Sequence, residues 1–190
     1  MLLPTDRRTQ GASPRIDADA GARLASMRSL TEGQIRASLV NAAPGEAERM
    51  PLPGLHEVVW DDREYLGWRD PGALQRGYLV YWNGDEPIGI ALRASEVRLR
   101  AGSAICSLCN TPQPAGQVTM FSAARAGDAG RAGNSVGTYI CADLACSLLI
   151  RIAPPASDWM PQPAATIAER AAGLASRVRS FGGRVLESAA

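Results

Sequence analysis

The chain of 190 residues contains no lysine, a single histidine and no long apolar run. All 20 basic residues are arginines, which remain charged and make planar contacts with carboxylates and phosphates. With His56 as its single histidine, the chain cannot form a histidine-rich metal site and has one candidate for a histidine catalytic base. No stretch reaches the roughly 18 apolar residues of a membrane span, and the N-terminus lacks a signal-peptide pattern. These absences predict a cytoplasmic, non-enzymatic protein without a membrane partner or a small-molecule substrate.

The length of the chain limits the number of domains, and its low net charge limits the kind of partner. A chain of 190 residues suits one ordinary domain with appended ends. Residues 1–28 mix small and charged residues without a period, which predicts a disordered tail. Residues 29–153 carry the patterns of a folded domain, and 154–190 read as a linker followed by an amphipathic helix. The formal net charge of +1 does not favour nucleic acid as a partner.

Local patterns place the helices and strands. Thr31 and Gln34 match a capping box, which predicts a short helix over 32–42. The pair Asn83-Gly84 is a strong signal for a tight β-hairpin. Four strands are predicted, over 78–82, 88–92, 117–123 and 136–140. Two further helices are predicted, over 142–150 and 164–187. The apolar stripe of the last helix is compatible with a partner, a membrane surface or packing on its own domain, and the sequence leaves these open.

Four cysteines form the most specific pattern in the chain. Cys106 and Cys109 are separated by two residues, 31 residues follow, and Cys141 and Cys146 are separated by four. Zinc prefers four tetrahedral thiolate or imidazole ligands, and a two-residue spacer lets one turn aim two sulfurs at a common point. The second pair straddles the end of a strand and the start of a helix. This arrangement predicts a treble-clef zinc finger, and hence an α+β fold: a small antiparallel sheet with flanking helices.

A redox-active pair is the main alternative for the first two cysteines. Such a pair usually follows a strand and opens a helix. Here Pro112 and Pro114 follow, and neither suits a helix that starts at the cysteines. Four thiolate ligands leave no open position on the metal, so the sequence predicts one structural Zn²⁺ ion without a catalytic role.

The loop from Arg125 to Asn134 is the other notable feature. Its glycines permit close approach of another backbone, and its arginines suit a phosphate or carboxylate. A flexible hairpin tip explains the same composition, and both interpretations stay open.

Three stretches resemble the elongation-factor-G-binding, fusidic-acid-resistance family. The first begins at Leu30-Thr-Glu-Gly-Gln-Ile-Arg-Ala-Ser and continues into Gly45-Glu-Ala-Glu-Arg. The second is Trp60-Asp-Asp-Arg-Glu-Tyr-Leu-Gly-Trp-Arg-Asp-Pro-Gly. The third joins Ile105-Cys-Ser-Leu-Cys to Gly133-Asn-Ser-Val-Gly-Thr-Tyr-Ile-Cys-Ala-Asp-Leu-Ala-Cys. The similarity spans about residues 29–152 and corresponds to the family's C-terminal zinc-finger domain; the family's N-terminal helical bundle has no counterpart in this chain.

The resemblance implies a partner and a contact surface. Members of the family bind elongation factor G, the ribosomal translocase, and the resistance proteins release it from ribosomes when fusidic acid has trapped it there. By the motif match, the four cysteines take the zinc-ligand positions. The implied partner contacts are Leu108, Arg125, Arg131, Asn134 and Tyr139. The expected function is therefore a zinc protein that binds elongation factor G and modulates its release, and the alternative is a zinc-containing ribosome- or RNA-binding module.

Overall fold

The computed structural model describes residues 26–97, 101–152 and 163–187. The helices are α1 (Glu32–Ala37), α2 (Glu46–Arg49), α3 (Gly127–Arg131), α4 (Cys146–Leu149) and α5 (Pro163–Leu186). The strands are β1 (Leu66–Arg69), β2 (Arg76–Asn83), β3 (Glu86–Ala94), β4 (Ser103–Ile105), β5 (Pro112–Pro114), β6 (Val118–Ala124) and β7 (Ser135–Cys141). Short 3₁₀ turns cover Leu55–Glu57, Trp60–Asp62 and Ala115–Gln117.

The larger sheet has five antiparallel strands in the order β1-β2-β3-β6-β7. The predicted hairpin is present, with Asn83 paired to Glu86 across the turn at Gly84, whose φ of 63° suits glycine. Strands β6 and β7 form a second hairpin, in register from Val118↔Cys141 to Ala124↔Ser135. The small β4–β5 hairpin stands apart from this sheet. The predicted α+β class, with a small antiparallel sheet and flanking helices, is confirmed.

Helix α1 is shorter than its sequence pattern predicts. The Thr31–Gln34 capping box forms as expected. The helix stops at Ala37, however, because the following backbone pairs with strand β3. Gly89 donates to the Ser38 carbonyl oxygen at 2.8 Å, and Val40 donates to the Gly89 carbonyl oxygen at 2.9 Å. This tertiary pairing replaces the last helical turn.

The folded region begins before residue 29, which corrects the predicted boundary of the tail. Met27 is buried, and its N–H donates to the Arg63 carbonyl oxygen at 2.7 Å. The guanidinium of Arg28 lies 3.9 Å from the centre of the Trp82 ring and also pairs with Asp85. A buried methionine and a cation over an aromatic ring hold this segment against the β2–β3 hairpin. Residues 1–25 lie outside the described residues.

Helix α5 packs on the same core as the sheet. Its apolar stripe is buried at Ala171, Leu174, Val178, Phe181 and Val185. Near one end of the described helix, Arg170 Nη1 donates to the Ile150 carbonyl oxygen at 3.4 Å. Near the other, Ala126 in the β6–β7 tip donates to the Val185 carbonyl oxygen at 2.8 Å. The sequence pattern sets 154–190 apart from the zinc-finger domain, whereas the described part of this helix shares that domain's core.

No helix in the described ranges is both long enough and apolar enough to cross a membrane.

Candidate metal centre

The first two cysteines lie at the tip of the β4–β5 hairpin. Strand β4 ends at Ile105, opposite Pro112, so the chain reverses within six residues. Asn110 donates to the Cys106 carbonyl oxygen at 2.9 Å and closes the turn. Its φ of 56° is left-handed, a conformation that asparagine tolerates better than most residues. The turn therefore aims both sulfurs at one point, as the two-residue spacer predicts.

The second pair lies at the junction of strand and helix, with one correction to the predicted geometry. Cys141 ends β7 as expected, but helix α4 begins only at Cys146 and not near residue 142. Leu144 adopts a left-handed φ of 60°, and the Asp143 carboxylate accepts the Ala145 N–H at 2.9 Å. A local side-chain bond of this kind competes with helical pairing and delays the first turn.

The four sulfurs converge on a volume that suits one metal ion. All four thiols are buried and lie within 4.8 Å of one another. The Sγ–Sγ distances are 3.6 Å for Cys106–Cys146, 3.6 Å for Cys109–Cys141 and 3.4 Å for Cys141–Cys146. A tetrahedral ZnS₄ centre with bonds of about 2.3 Å has sulfur–sulfur edges of about 3.8 Å. The cluster thus fits one structural Zn²⁺ ion with all four positions filled by protein.

The electrostatics of the four sulfurs also favour a cation among them. The Cys109 sulfur accepts hydrogen bonds, first from Cys106, and these lower the pKa of its thiol. The Cys146 thiol instead bonds to the Cys106 sulfur, which with burial holds the pKa of Cys146 well above its usual value. Four thiolates cannot share this space without a positive charge among them. A dication removes the conflict, and it makes zinc binding dependent on thiol deprotonation.

Three N–H groups donate to the metal-facing sulfurs. Leu108 and Cys109 donate their backbone N–H groups to Cys106 Sγ, both at 3.4 Å. The side-chain amide of Gln113, on β5, donates to Cys141 Sγ at 3.1 Å. Outer-shell donors of this kind orient ligands and spread their charge. Sequence reasoning missed Gln113, although a glutamine between two prolines, close after the knuckle (the Cys106–Cys109 turn), is a usable signal.

The loop between Cys141 and Cys146 docks on the main sheet through Leu144. This side chain is 1% exposed and occupies space left by two glycines. A Cβ at Gly67 would lie 3.0 Å from Leu144 Cβ, and one at Gly77 would lie 2.8 Å from Leu144 Cδ1. The Tyr65 hydroxyl adds an acceptor 3.4 Å from the Cys146 backbone nitrogen. The metal loop, which is the segment between Cys141 and Cys146, is therefore packed against β1 and β2.

An ion pair joins Arg151, just after α4, to the buried Glu64 in the segment before β1. The Glu64 side chain is 1% exposed, and its Oε1 accepts a hydrogen bond from Arg151 Nη2 at 2.9 Å. Arg151 also donates to the Ser147 carbonyl oxygen, and the Ser147 hydroxyl accepts the Glu64 N–H at 3.0 Å. Desolvation lowers the pKa of Arg151, but Glu64 outweighs it, so the pKa lies above the usual value.

The predicted partner contact at Leu108 is not on the surface. This residue is 2% exposed, and Arg177 of helix α5 donates to its carbonyl oxygen. Helix α5 packs over the knuckle. This contact joins segments far apart in the chain, so the local sequence pattern does not reveal it. Leu108 is a core residue, which corrects its interpretation as an exposed apolar anchor.

The remaining predicted contacts fall into two separate places. Tyr139 lies on β7 near the metal; it is 39% exposed, and its carbonyl oxygen accepts the Ser107 N–H at 2.8 Å. Arg125, Arg131 and Asn134 lie at the other end of the β6–β7 hairpin. Five residue steps, about 17 Å of extended strand, separate Tyr139 from Asn134. The structure therefore does not bring the predicted residues together on one surface.

At the hairpin tip the two predicted arginines differ in their surroundings. The Arg125 side chain is 26% exposed and pairs with Glu187 after α5, at 3.5 Å. It thus anchors the end of the helix. The Arg131 side chain is 73% exposed, and its one ion pair among the described residues is with the exposed Asp128 in its own short helix. An ion pair between two exposed groups contributes little, so Arg131 is available to a ligand.

One cysteine pair in a hairpin turn and a second pair at a strand–helix junction, converging on one metal site, are the features of a treble-clef zinc finger. The sequence profile of the FBP C-terminal treble-clef zinc-finger family matches residues 34–185. This match covers most of the chain, and the chain belongs to that family. It begins in α1 and ends in α5, so it includes the sheet and both flanking helices.

Comparison with individual proteins gives a more distant relation. The structure of the fusidic acid resistance protein FusC is similar, at 21% identity and with a TM-score of 0.47. The alignment covers 64% of this chain and 52% of FusC, so the chain spans about half the length of that protein. No curated protein matches the chain.

Proposed function

We propose that this protein binds elongation factor G and modulates the release of that factor from the ribosome. The observation that carries the proposal is the family match over residues 34–185, which extends through the whole folded body and beyond the metal site. The resemblance of the cysteine segments to the elongation-factor-G-binding family points to the same partner.

The surface beside the metal is the first place to test for this contact. Ile105, at the end of β4, is 60% exposed, and Tyr139 is 39% exposed. Both lie beside the knuckle: Ile105 directly precedes Cys106, and the Tyr139 carbonyl oxygen accepts the Ser107 N–H. Exposed apolar and aromatic residues on a rigid frame are typical anchors of protein interfaces. A metal that fixes knuckle and strand reduces the ordering cost of association.

The proposal is of a binding role rather than catalysis. A metal held by four cysteines has no open position for a substrate or an activated water. The single histidine, His56, has a side chain that is 85% exposed, and it lies beside Glu57. A general base needs a reacting partner held in place, and this residue sits on the open surface of a 3₁₀ turn.

The test is co-elution of the zinc-loaded full chain with purified elongation factor G on a sizing column, followed by calorimetry. Tyr139→Ala should raise the dissociation constant about tenfold or more, as for an interface anchor. Leu74→Ala is the matched control, since Leu74 is 68% exposed in the turn between β1 and β2, outside the metal region. Zinc content must remain at one per chain in both variants. A wild-type protein that binds ribosomes stripped of the factor, but not the factor itself, would overturn the proposal in favour of a ribosome-binding module.

A further inference from the structure

A cleft opens where the main sheet divides, at the end remote from the metal. Strands β3 and β6 pair at only two positions, Arg93↔Ser122 and Ala94↔Phe121. Beyond them the strands separate, and the Asn41 side chain bridges the gap. Its Nδ2 donates to the carbonyl oxygens of Ala91 at 3.0 Å and Ala124 at 2.9 Å. The cleft therefore has a rigid floor.

The cleft has the size and lining of a binding site. Its volume is about 470 Å³, and it lies between residues 40–46 and the β6–β7 tip. The floor is made largely of small residues, including Ala42, Ala43, Ala124, Gly130 and Gly133. Small residues let another backbone approach closely, and the volume falls in the range of ordinary ligand sites.

Among the residues that line the cleft, cations outnumber anions, and Asp128 and Glu187 pair with Arg131 and Arg125 from beyond the lining. Arg93, Arg125 and Arg131 line it, against the single carboxylate of Glu46. That carboxylate is engaged, since it accepts the Ala43 N–H at 2.9 Å and faces the Tyr78 hydroxyl at 3.5 Å.

Two of the three arginines are available to a ligand. Arg93 is exposed, and no ion pair of its guanidinium occurs among the described residues. Within the described ranges, the ion pair of Arg131 is the solvent-exposed one with Asp128. Arg125 is committed to Glu187. The cleft thus offers two accessible guanidinium groups, which suit carboxylates by planar, two-point hydrogen bonding.

We propose that this cleft binds an acidic, extended segment of a protein partner, held by Arg93 and Arg131. The observations favour a peptide over a nucleic acid. No aromatic side chain lines the cleft, so bases have no surface on which to stack. The inference deepens the proposed function. Binding of an acidic segment in the cleft is argued from the cleft itself, whereas the assignment of that segment to elongation factor G rests on the proposed function.

The experiment is a ¹⁵N NMR titration of the zinc-loaded full chain with a synthetic octapeptide of alternating Glu and Asp. The expected result is saturable shifts of the amides of Asn41, Gly130 and Gly133, weakened by added salt. The double variant Arg93→Gln, Arg131→Gln should raise the dissociation constant at least tenfold. Arg179→Gln is the control, because Arg179 is an exposed arginine on α5 that does not line the cleft. A Gln/Asn octapeptide should produce no saturable shift.

Three outcomes would overturn the inference: no saturable shift in the cleft, an equal loss in Arg179→Gln, or tighter binding of a single-stranded RNA oligonucleotide to the same amides. Zinc content and melting temperature verify that each variant folds. Peptide binding without any binding of elongation factor G supports the cleft and refutes the proposed function. The reverse result supports the function and refutes the cleft.

Discussion

Two neighbouring glycines of helix α5 allow a sharp test of how that helix packs. A Cβ at Gly182 would lie 2.6 Å from Tyr81 Cζ and closer still to the hydroxyl oxygen. A Cβ at Gly183 would have no atom within 4 Å. Both positions are in one helix, so replacing either with alanine gains a similar helix propensity of about 0.5–1 kcal/mol. The difference between the two variants therefore reports the contact with Tyr81.

The magnitude follows from the geometry. The Cβ–Cζ separation at position 182 is about 0.9 Å short of an ordinary carbon contact of about 3.5 Å. The obstacle is a stiff aromatic ring, 2% exposed and held in the core. Inserting a methyl group into such a site costs about 1–3 kcal/mol. We expect Gly182→Ala to be less stable than Gly183→Ala by about 1–3 kcal/mol, which is about 2–12 °C in melting temperature for a chain of this size.

The assay is thermal and urea denaturation of the zinc-loaded chain, with zinc content measured for each variant. Tyr81→Phe, combined with Gly182→Ala, should recover part of the loss, because it removes the closest atom of the ring. A double-mutant cycle gives the coupling directly. If Gly182→Ala melts at or above the temperature of Gly183→Ala, helix α5 does not pack on Tyr81 and the reasoning fails.

Three further predictions concern the metal centre. Cys141→Ser should reduce bound zinc from about one per chain to near zero and expose the β4–β5 hairpin to protease, because the metal supplies the cross-link between the two cysteine pairs. Gln113→Leu should release zinc to a competing chelator about tenfold faster than wild type, since Cys141 loses its buried amide donor. Gly67→Ala should destabilise the protein by about 1–3 kcal/mol and also speed zinc release, because the new Cβ would meet the Leu144 backbone.

Each of these predictions has its own check. If elemental analysis shows that Cys141→Ser keeps its full zinc content, the assignment of Cys141 as a zinc ligand is refuted. Unchanged release kinetics in Gln113→Leu would show that the amide bond to sulfur has no influence on the metal. Gly33→Ala is the control for Gly67→Ala: it lies in α1 with no atom within 4 Å of its added Cβ, and it should stabilise by up to about 1 kcal/mol. Equal stabilities for these two glycine variants would contradict the docking of the metal loop on the sheet.

Local chemistry was sufficient to predict the metal ligands, the β2–β3 hairpin and the first helix cap. The two-residue spacer between Cys106 and Cys109 confines two sulfurs to one turn, whatever the rest of the chain does. Asn83-Gly84 encodes a tight hairpin through the left-handed conformation that the turn requires. Thr31 and Gln34 close their capping box within one helical turn. In each case the determining contacts lie within a few residues, so the sequence alone carries them.

Tertiary structure decided the features that depend on segments far apart in the chain. Leu108 became a core residue because α5 returns to the knuckle, with Arg177 bound to its carbonyl oxygen 69 positions away. Helix α1 ended early because Ser38 and Val40 pair with β3. The cleft exists only because Asn41 spans strands β3 and β6 where they separate. The sequence by itself determined the metal and its ligands, whereas which side chains face a partner was decided by long-range packing, since burial depends on what the rest of the chain places on top.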